Sequence, residues 1–272
     1  MRSVMSTTTP DDAILVTSYN VRRPVPEFLT TPADRWSRRA PNLVSALRRE
    51  RPAILAAQEV LPHTARTILA ALGPTYRRYG VGRGREGRGE GCPIFFDSER
   101  LHLVAGRQVA LSDDPDTAGA RGWGNPIPRV ATTAVFRDRR TGKRLGAVNT
   151  HLDPFSERSR LRSALALRQL AADSPHPTVL FGDLNAGASS RTVRTLLEGG
   201  LLADAWTRAE RRLTPAWRSF ARYRRPRLGD RIDWICTTAG IRVLTAAIEH
   251  RPETGGWPSD HLPVYAAIEV DS

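Results

Sequence analysis

A chain of 272 residues, 40% hydrophobic and 25% charged, has the make-up of a folded domain rather than of a disordered or fibrous protein. No stretch approaches the roughly 18 apolar residues a membrane helix needs, so no span is expected. The formal charge of +13 excludes a generally acidic surface and favours polyanionic partners, nucleic acid above all. Lys143 is the only lysine, however, and an arginine- and alanine-rich chain is also what a GC-rich genome encodes.

Met1 to Asp12 is polar, carries one arginine and lacks the apolar core of a signal peptide. A disordered tail over residues 1–12 of a cytoplasmic protein is expected, followed by one domain over 13–272. Ile14 to Tyr19 reads as a buried strand. Asp34 is a candidate N-cap for a helix through Glu50, with Trp36, Ala40, Leu43, Val44 and Leu47 on one face and Pro41 interrupting the first turns. Ala53 to Ala57 is a second strand, and residues 63–72 a second helix. Residues 75–96 read as two strands around a basic, glycine-rich tip from Arg83 to Gly91. Arg100 to Leu111 has strand character, and Asp113 to Asn125 is a loop.

Val130 to Phe136 and Leu145 to Asn149 flank a turn-rich hairpin segment. Glu157 to Ala172 reads as a helix and Thr178 to Phe181 as a short buried strand. Ser190 is a candidate cap for a helix through Glu198, stopped by Gly199-Gly200. Arg208 to Arg231 is an irregular, arginine-dense stretch. Ile232 to Cys236, Val243 to Ile248 and Val264 to Val270 close the chain as strands. Cys92 and Cys236, each inside an apolar run, read as buried thiols.

Polar motifs recur where these strands start or stop. They are Asn20, Gln58-Glu59, Asn149-Thr150-His151, Gly182-Asp183-Leu184-Asn185, Asp233 within Arg231-Ile232-Asp233-Trp234, and Ser259-Asp260-His261. Carboxylates for a hard cation, imidazoles and amides are the groups that phosphoester hydrolysis uses. Gly182 permits a close approach of backbone to ligand, and Asp183 and Asn185 at alternating positions share one face of a strand. Asp233 in an apolar strand is costly unless paired, either with His261 or with an arginine such as Arg231. Each motif alone has a plain alternative: a turn at 182–185, a solvated edge carboxylate at Glu59, a turn former at Asn20, a core imidazole at His151.

Taken together and in this order, they resemble the endonuclease/exonuclease/phosphatase superfamily, metal-dependent phosphoesterases that include DNase I-like nucleases, abasic-site endonucleases, sphingomyelinases and inositol polyphosphate phosphatases. The resemblance covers about residues 13–270. It implies an α/β fold, a two-sheet αββα sandwich with the site at one edge. It implies Glu59 as main ligand of a divalent cation, Mg²⁺ with Mn²⁺ as substitute, and Asn20 and Asp260 close by. Asp183 would orient or deprotonate the attacking water, Asn185 and His151 would donate to phosphoryl oxygens, and His261, held by Asp233, would contact the phosphate or share the role of base. Asp183 and His261 both remain candidates for that base. Trp123, Pro128, Arg129 and Glu90 resemble a bacterial branch of mostly unassigned substrate, in which Arg129 and Glu90 would bind substrate.

Two basic segments bear on the substrate: Arg77 to Arg88, and Arg208 to Arg227 with Trp206, Trp217, Phe220 and Tyr223 interleaved. Arginines for phosphates and rings for unstacked bases are what a nucleic-acid channel uses. Nucleic acid is the expected substrate, with a phosphatase or phosphodiesterase of a small metabolite or lipid headgroup second and a catalytically inactive nucleic-acid-binding module third. A monomer with no membrane span is expected.

Overall fold

The structure is a computed structural model that describes Met5, Pro10 and residues 12–271. Its elements in chain order are β1 (Ile14–Asn20), α1 (Trp36–Glu50), β2 (Ile54–Gln58), α2 (Pro62–Leu72), β3 (Tyr76–Tyr79), β4 (Ile94–Asp97), β5 (Leu101–Ala110), β6 (Val130–Asp138) and β7 (Arg144–His151). Then come α3 (Glu157–Ala172), β8 (Thr178–Asp183), α4 (Arg191–Leu197), β9 (Ala203–Asp204), α5 (Ala205–Arg208), β10 (Arg211–Arg212), β11 (Asp233–Thr237), β12 (Ile241–Ile248) and β13 (Val264–Val270).

One sheet runs β10-β12-β13-β1-β2-β4-β3 and the other β5-β6-β7-β8-β11-β9. Both are mixed: β1 pairs parallel with β2 and β7 parallel with β8, while most other neighbours are antiparallel. Alternation along the strands builds the layers. Ile54 and Ala56 of β2, with Val179 and Phe181 of β8 and Ile235 of β11, form the core between the sheets. Leu55 and Ala57 face outward to Leu43 and Leu47 of α1 and Ile68 and Leu72 of α2. Leu180, Trp234 and Cys236 face outward to Leu167 of α3 and to Val193 and Leu196 of α4. Strands buried on both faces read as unbroken apolar runs, which is why these were legible. The result is the two-sheet αββα sandwich expected, a DNase I-like fold.

Several local readings differ. Asp34 does not cap α1; Arg35 holds the cap position without a side-chain bond, and the helix runs unbroken through Pro41. Asp34 is instead drawn to Arg22, whose Nη2 lies 3.0 Å from its Oδ2. The stretch expected to be irregular includes the end of α5 and the strand β10. Ser190 does cap α4, accepting from the Val193 N–H at 3.2 Å. Cys92 and Cys236 are buried free thiols. Most of the expected tail lies outside the described residues; Met5, within it, is buried against Leu244, Ala247 and Tyr265. Among the described residues no helix is long and apolar enough to cross a membrane.

The sheets are tied across the core near the site. Gln58 Nε2 on β2 donates to Asn149 Oδ1 on β7 at 2.8 Å, and Asn149 Nδ2 donates back to the carbonyls of Ala57 (2.9 Å) and Pro93 (3.0 Å). Asn149→Ala leaves these groups buried without their partner and is expected to cost about 2 kcal/mol of stability, read as a lower urea midpoint with an unchanged slope.

Candidate active site

The parallel pairings bring the strand ends together. Asn20 is in register with Gln58, His151 with Asp183, and Asp183 with Asp233 across the antiparallel β8–β11 pair. Ser259-Asp260-His261 enters just before β13, which lies beside β1. All six motifs therefore reach one end of the sandwich.

Asp183 is at the centre and only 1% exposed. Its Oδ2 accepts from Asn20 Nδ2 at 2.9 Å, and lies 3.5 Å from His151 Nε2 and 3.7 Å from His261 Nε2. Its Oδ1 accepts the Asn185 N–H at 2.9 Å. Burial, and next the charge of Asp233, push the Asp183 carboxyl above its usual range against the pull of the two histidines. Asp233 Oδ2 sits 2.8 Å from His261 Nδ1. Arg231, its other candidate partner, instead pairs with Asp204 at 2.7 Å. Burial disfavours the His261 charge, but Asp233 and Asp183 outweigh it and raise the imidazole to about 10. His151 goes the other way: burial dominates and lowers it. Its Nδ1 is buried without a hydrogen-bond partner, and its Nε2 lies 3.1 Å from Asn185 Nδ2.

Glu59 and Asp260 form the acidic rim. Burial raises Glu59, but His151, the Arg23 N–H (2.9 Å), Asn20 (3.1 Å to Oε1) and His261 prevail and hold it at about 2. Burial also raises Asp260, with Glu59 and Asp34 adding to it. Arg22 approaches both rim carboxylates beyond bonding distance, at 3.9 Å from Glu59 and 3.8 Å from Asp260. Two half-buried carboxylates that no arginine or lysine side chain among the described residues contacts within hydrogen-bond distance fit a hard cation such as Mg²⁺, which takes carboxylate oxygens and keeps several waters. Asn20 faces Glu59 through its amide nitrogen, while its Oδ1 accepts the Arg22 N–H at 2.9 Å. A second set, Asp183, Asp233 and His261, places ligand atoms within 4.8 Å of one another. His261 Nδ1 is engaged by Asp233 and the ring, raised to about 10, holds its protons where a metal ligand must give one up, so the rim suits a metal better.

Glu90 and Arg129 lie on the far side of His151, lining a narrow cavity with Glu59 and Arg83. Glu90 pairs with Arg83 at 2.6 Å and Arg23 at 3.3 Å. Arg129 meets Asp153 at 3.4 Å and the His151 carbonyl at 3.5 Å. Every site residue expected from sequence is thus joined through this end of the molecule.

Two local readings change. Gly182 is required by its neighbour rather than by a ligand: a Cβ there would stand 2.7 Å from the Thr150 carbonyl oxygen on β7. Asn185 lies past the end of β8 with φ 48, so a left-handed turn, not strand alternation, brings it back toward His151. Glu59 (φ 60) and Arg22 (φ 54) share that conformation, which costs roughly 1–2 kcal/mol per side-chain-bearing residue.

Sequence reasoning missed the residues that hold these groups. Arg39 of α1, fully buried, donates to the carbonyls of Val21, Arg22, Asp34 and Pro258. Ser259 Oγ donates to the Asn20 carbonyl at 2.7 Å. Ser219 Oγ accepts the N–H groups of Ile232 (2.9 Å) and Asp233 (3.1 Å). Phe220 packs against His261 with ring centroids 4.8 Å apart and the rings tilted by 43°. An apolar Arg39 face at helical spacing hides its polar role, and single serines in loops carry no pattern. Of the aromatics in the arginine-rich stretch, Phe220 is exposed, Trp206 is buried beside Arg231, Trp217 packs on the core, and Tyr223 hydrogen-bonds Asp34.

A two-sheet sandwich whose strand ends gather carboxylates, amides and imidazoles is the DNase I-like arrangement. The sequence profile of the Endonuclease/Exonuclease/phosphatase family matches residues 17–261, and the chain belongs to that family. It is similar in structure to a mannosyl-6-phosphatase of Bacteroides thetaiotaomicron VPI-5482 (24% identity, TM-score 0.87, covering 94% of this chain and 99% of the other). An endonuclease/exonuclease/phosphatase of Bacteroides vulgatus is 28% identical (TM-score 0.86, covering 95% and 99%). The human Nocturnin catalytic domain, with bound sulfate, is 19% identical (TM-score 0.74, covering 97% and 96%). Among the curated proteins compared with the chain, none matches.

The His261 shift has a definite sign. An imidazole raised from 6.5 to about 10 stabilises the fold fully below about pH 6.5 and loses that contribution as pH climbs toward 10. The difference in unfolding free energy between the native chain and His261→Asn should therefore shrink steadily over that window. An NMR titration showing the His261 ring deprotonating near 6.5 would contradict the assignment.

Proposed function

We propose that the chain is a divalent-metal-dependent phosphoesterase that hydrolyses phosphodiester bonds, in DNA or RNA, by in-line attack of water. The observation that carries this is the surround of Asp183: Asn20 at 2.9 Å, His151 at 3.5 Å and His261 at 3.7 Å, beside the Glu59 and Asp260 rim. Glu59 and Asp260, with Asn20 alongside, would hold Mg²⁺, or Mn²⁺ in its place, which supplies charge neutralisation at the phosphoryl group and the leaving oxygen.

His261, raised to about 10, keeps its proton at neutral pH and serves as a donor to phosphoryl oxygen. Asp233 fixes the ring's orientation from behind. Asp183 is the better proton acceptor: it is ionisable, its proton affinity is raised by burial, and Asn20 and the Asn185 N–H hold it in place. His151 and Asn185 face the same space and stabilise the developing negative charge. Arg129 and Glu90 line the adjoining wall.

Support for a nucleic-acid substrate comes from the segment that carries Phe220. Arg218, Arg222, Arg224, Arg225 and Arg227 are all exposed on it, and its backbone is tied to the Asp260 carbonyl by the Ala221 (2.9 Å) and Arg222 (2.8 Å) N–H groups. A small phosphomonoester is the second reading. It is favoured by the grouping of Arg83, Glu90 and Arg129 beside His151, and by the likeness to a mannosyl-6-phosphatase.

Purified protein should be incubated with plasmid, single-stranded DNA, RNA and a sugar phosphate, with Mg²⁺ or with EDTA. EDTA-sensitive cleavage of nucleic acid that weakens steeply with salt is expected. Salt-insensitive release of phosphate from the sugar phosphate favours the second reading, and no hydrolysis of any of them favours an inactive binding module. Asp183→Ala and His261→Ala should each lower turnover by roughly 10²-fold or more. Near-native turnover in either removes its assigned role.

A further inference from the structure

We infer that Arg22 is a resident counter-cation for the Glu59–Asp260 pair, tethered by Asp34 so that it sets how tightly that pair takes a divalent cation. The inference rests on the reading of the rim as a metal site.

Arg22 stands among three carboxylates and treats them unequally. It grips Asp34 with two nitrogens, Nη2 at 3.0 Å from Oδ2 and Nε at 3.3 Å from Oδ1. Toward Glu59 and Asp260 it stops at 3.9 Å and 3.8 Å, beyond hydrogen-bond reach. Its charge is felt by both rim carboxylates without a hydrogen bond of its own to either; the Glu59 oxygens each accept one bond, from Asn20 Nδ2 and the Arg23 N–H, and each keeps a further lone pair for a cation. The asymmetry has a cause in the tether. Asp34 is itself fixed by the Tyr223 hydroxyl and by Arg39, whose Nε lies 3.5 Å from Asp34 Oδ1 and 2.9 Å from the Asp34 carbonyl. At the other end, the Arg22 backbone N–H is bonded to Asn20 Oδ1, and the residue holds φ 54. Backbone and guanidinium are thus both pinned, and the side chain is 29% exposed, at the mouth of the site rather than beneath it.

Two consequences follow from Coulomb's law. Without a metal, Arg22 relieves the repulsion between two half-buried carboxylates. With a metal, it is a like charge close to the bound ion and weakens binding. Removing it should therefore tighten the site, and cutting its tether should let the guanidinium close on Glu59 and Asp260 and loosen the site. Opposite effects from two residues that touch each other are the signature of this arrangement; a merely structural role would weaken binding in both.

The test is a titration of Mg²⁺ alone into EDTA-stripped, dialysed protein, followed by calorimetry and by the Mg²⁺-dependent rise in Tm. Arg22→Gln should bind Mg²⁺ about tenfold more tightly than the native chain, a few-ångström like-charge interaction at partial exposure being of that order. Asp34→Asn should bind it several-fold more weakly, and Tyr223→Phe, which removes one strut of the tether, should shift affinity in the same direction by less. If Asp34→Asn does not fold, the Arg22→Gln and Tyr223→Phe pair carries the comparison. Unchanged or weaker Mg²⁺ affinity in Arg22→Gln overturns the inference, as does the absence of Mg²⁺ binding by both native and variant chains. A rise in KM at saturating Mg²⁺ with no change in Mg²⁺ affinity also overturns it, making Arg22 a substrate contact. Because the readout is metal binding, it stands or falls separately from whether any phosphoester is hydrolysed.

Discussion

The hydrogen bond from Asn20 to Asp183, 2.9 Å long and fully buried, joins the last residue of one sheet's central strand to the last residue of the other's. A carboxylate this deeply buried is tolerated only when surrounding groups replace water. Here the replacement comes from both sheets: an amide from the first, two imidazoles and a backbone N–H from the second and from the chain entering β13. The sandwich must therefore be closed, and closed in this register, before Asp183 has its partners. A slip of one residue in β8 would turn Asp183 toward the α3 side and bring Leu180 into the inter-sheet core.

Around that centre lies a layer of residues whose work is positional. Arg39 gathers the carbonyls of the segment leaving β1 and the carbonyl of Pro258, so the segment that carries Asn20 and Arg22 and the one that carries Asp260 refer to one guanidinium. Ser219 and Ser259 bond to backbone at the start of β11 and the end of β1. The left-handed backbones at Arg22, Glu59 and Asn185 sit in the same region. Strain of this kind persists only where the surrounding structure over-determines it, and the layer of buried polar bonds is what does so.

The distribution of charge separates two roles that composition merges. Arginine is buried and structural at Arg39, Arg100, Arg129 and Arg231, each bonded to carboxylates or carbonyls. It is exposed along residues 218–227, the segment that packs Phe220 against His261. Arg77, Arg78, Arg85 and Arg88 of the other basic segment are exposed as well, and the group along 218–227 forms a local positive wall beside the site. The rings expected to interleave with it are mostly engaged elsewhere: Trp206 and Trp217 belong to the core, and Tyr223 serves Asp34.

By itself, the sequence determined the strands and the polar residues that end them. Runs such as Ile54 to Ala57 and Thr178 to Phe181 are apolar because both faces are buried, and the motifs at Glu59, His151, Asp183 and His261 stand out where such runs meet polar groups. What lay beyond it was everything set by contacts between distant segments. Asp34 looked like a helix cap because local spacing allowed it, yet Arg22 and Tyr223 claim it. Gly182 looked like a ligand-facing glycine, yet the Thr150 carbonyl on the neighbouring strand is what forbids a side chain. The choice of Asp233 for His261 over Arg231, and the opposite protonation tendencies of His151 and His261, follow from which charges are buried together. Periodicity encodes burial one residue at a time. Pairing across 30 to 240 positions is decided only when two sheets close and a few groups must share one space without water.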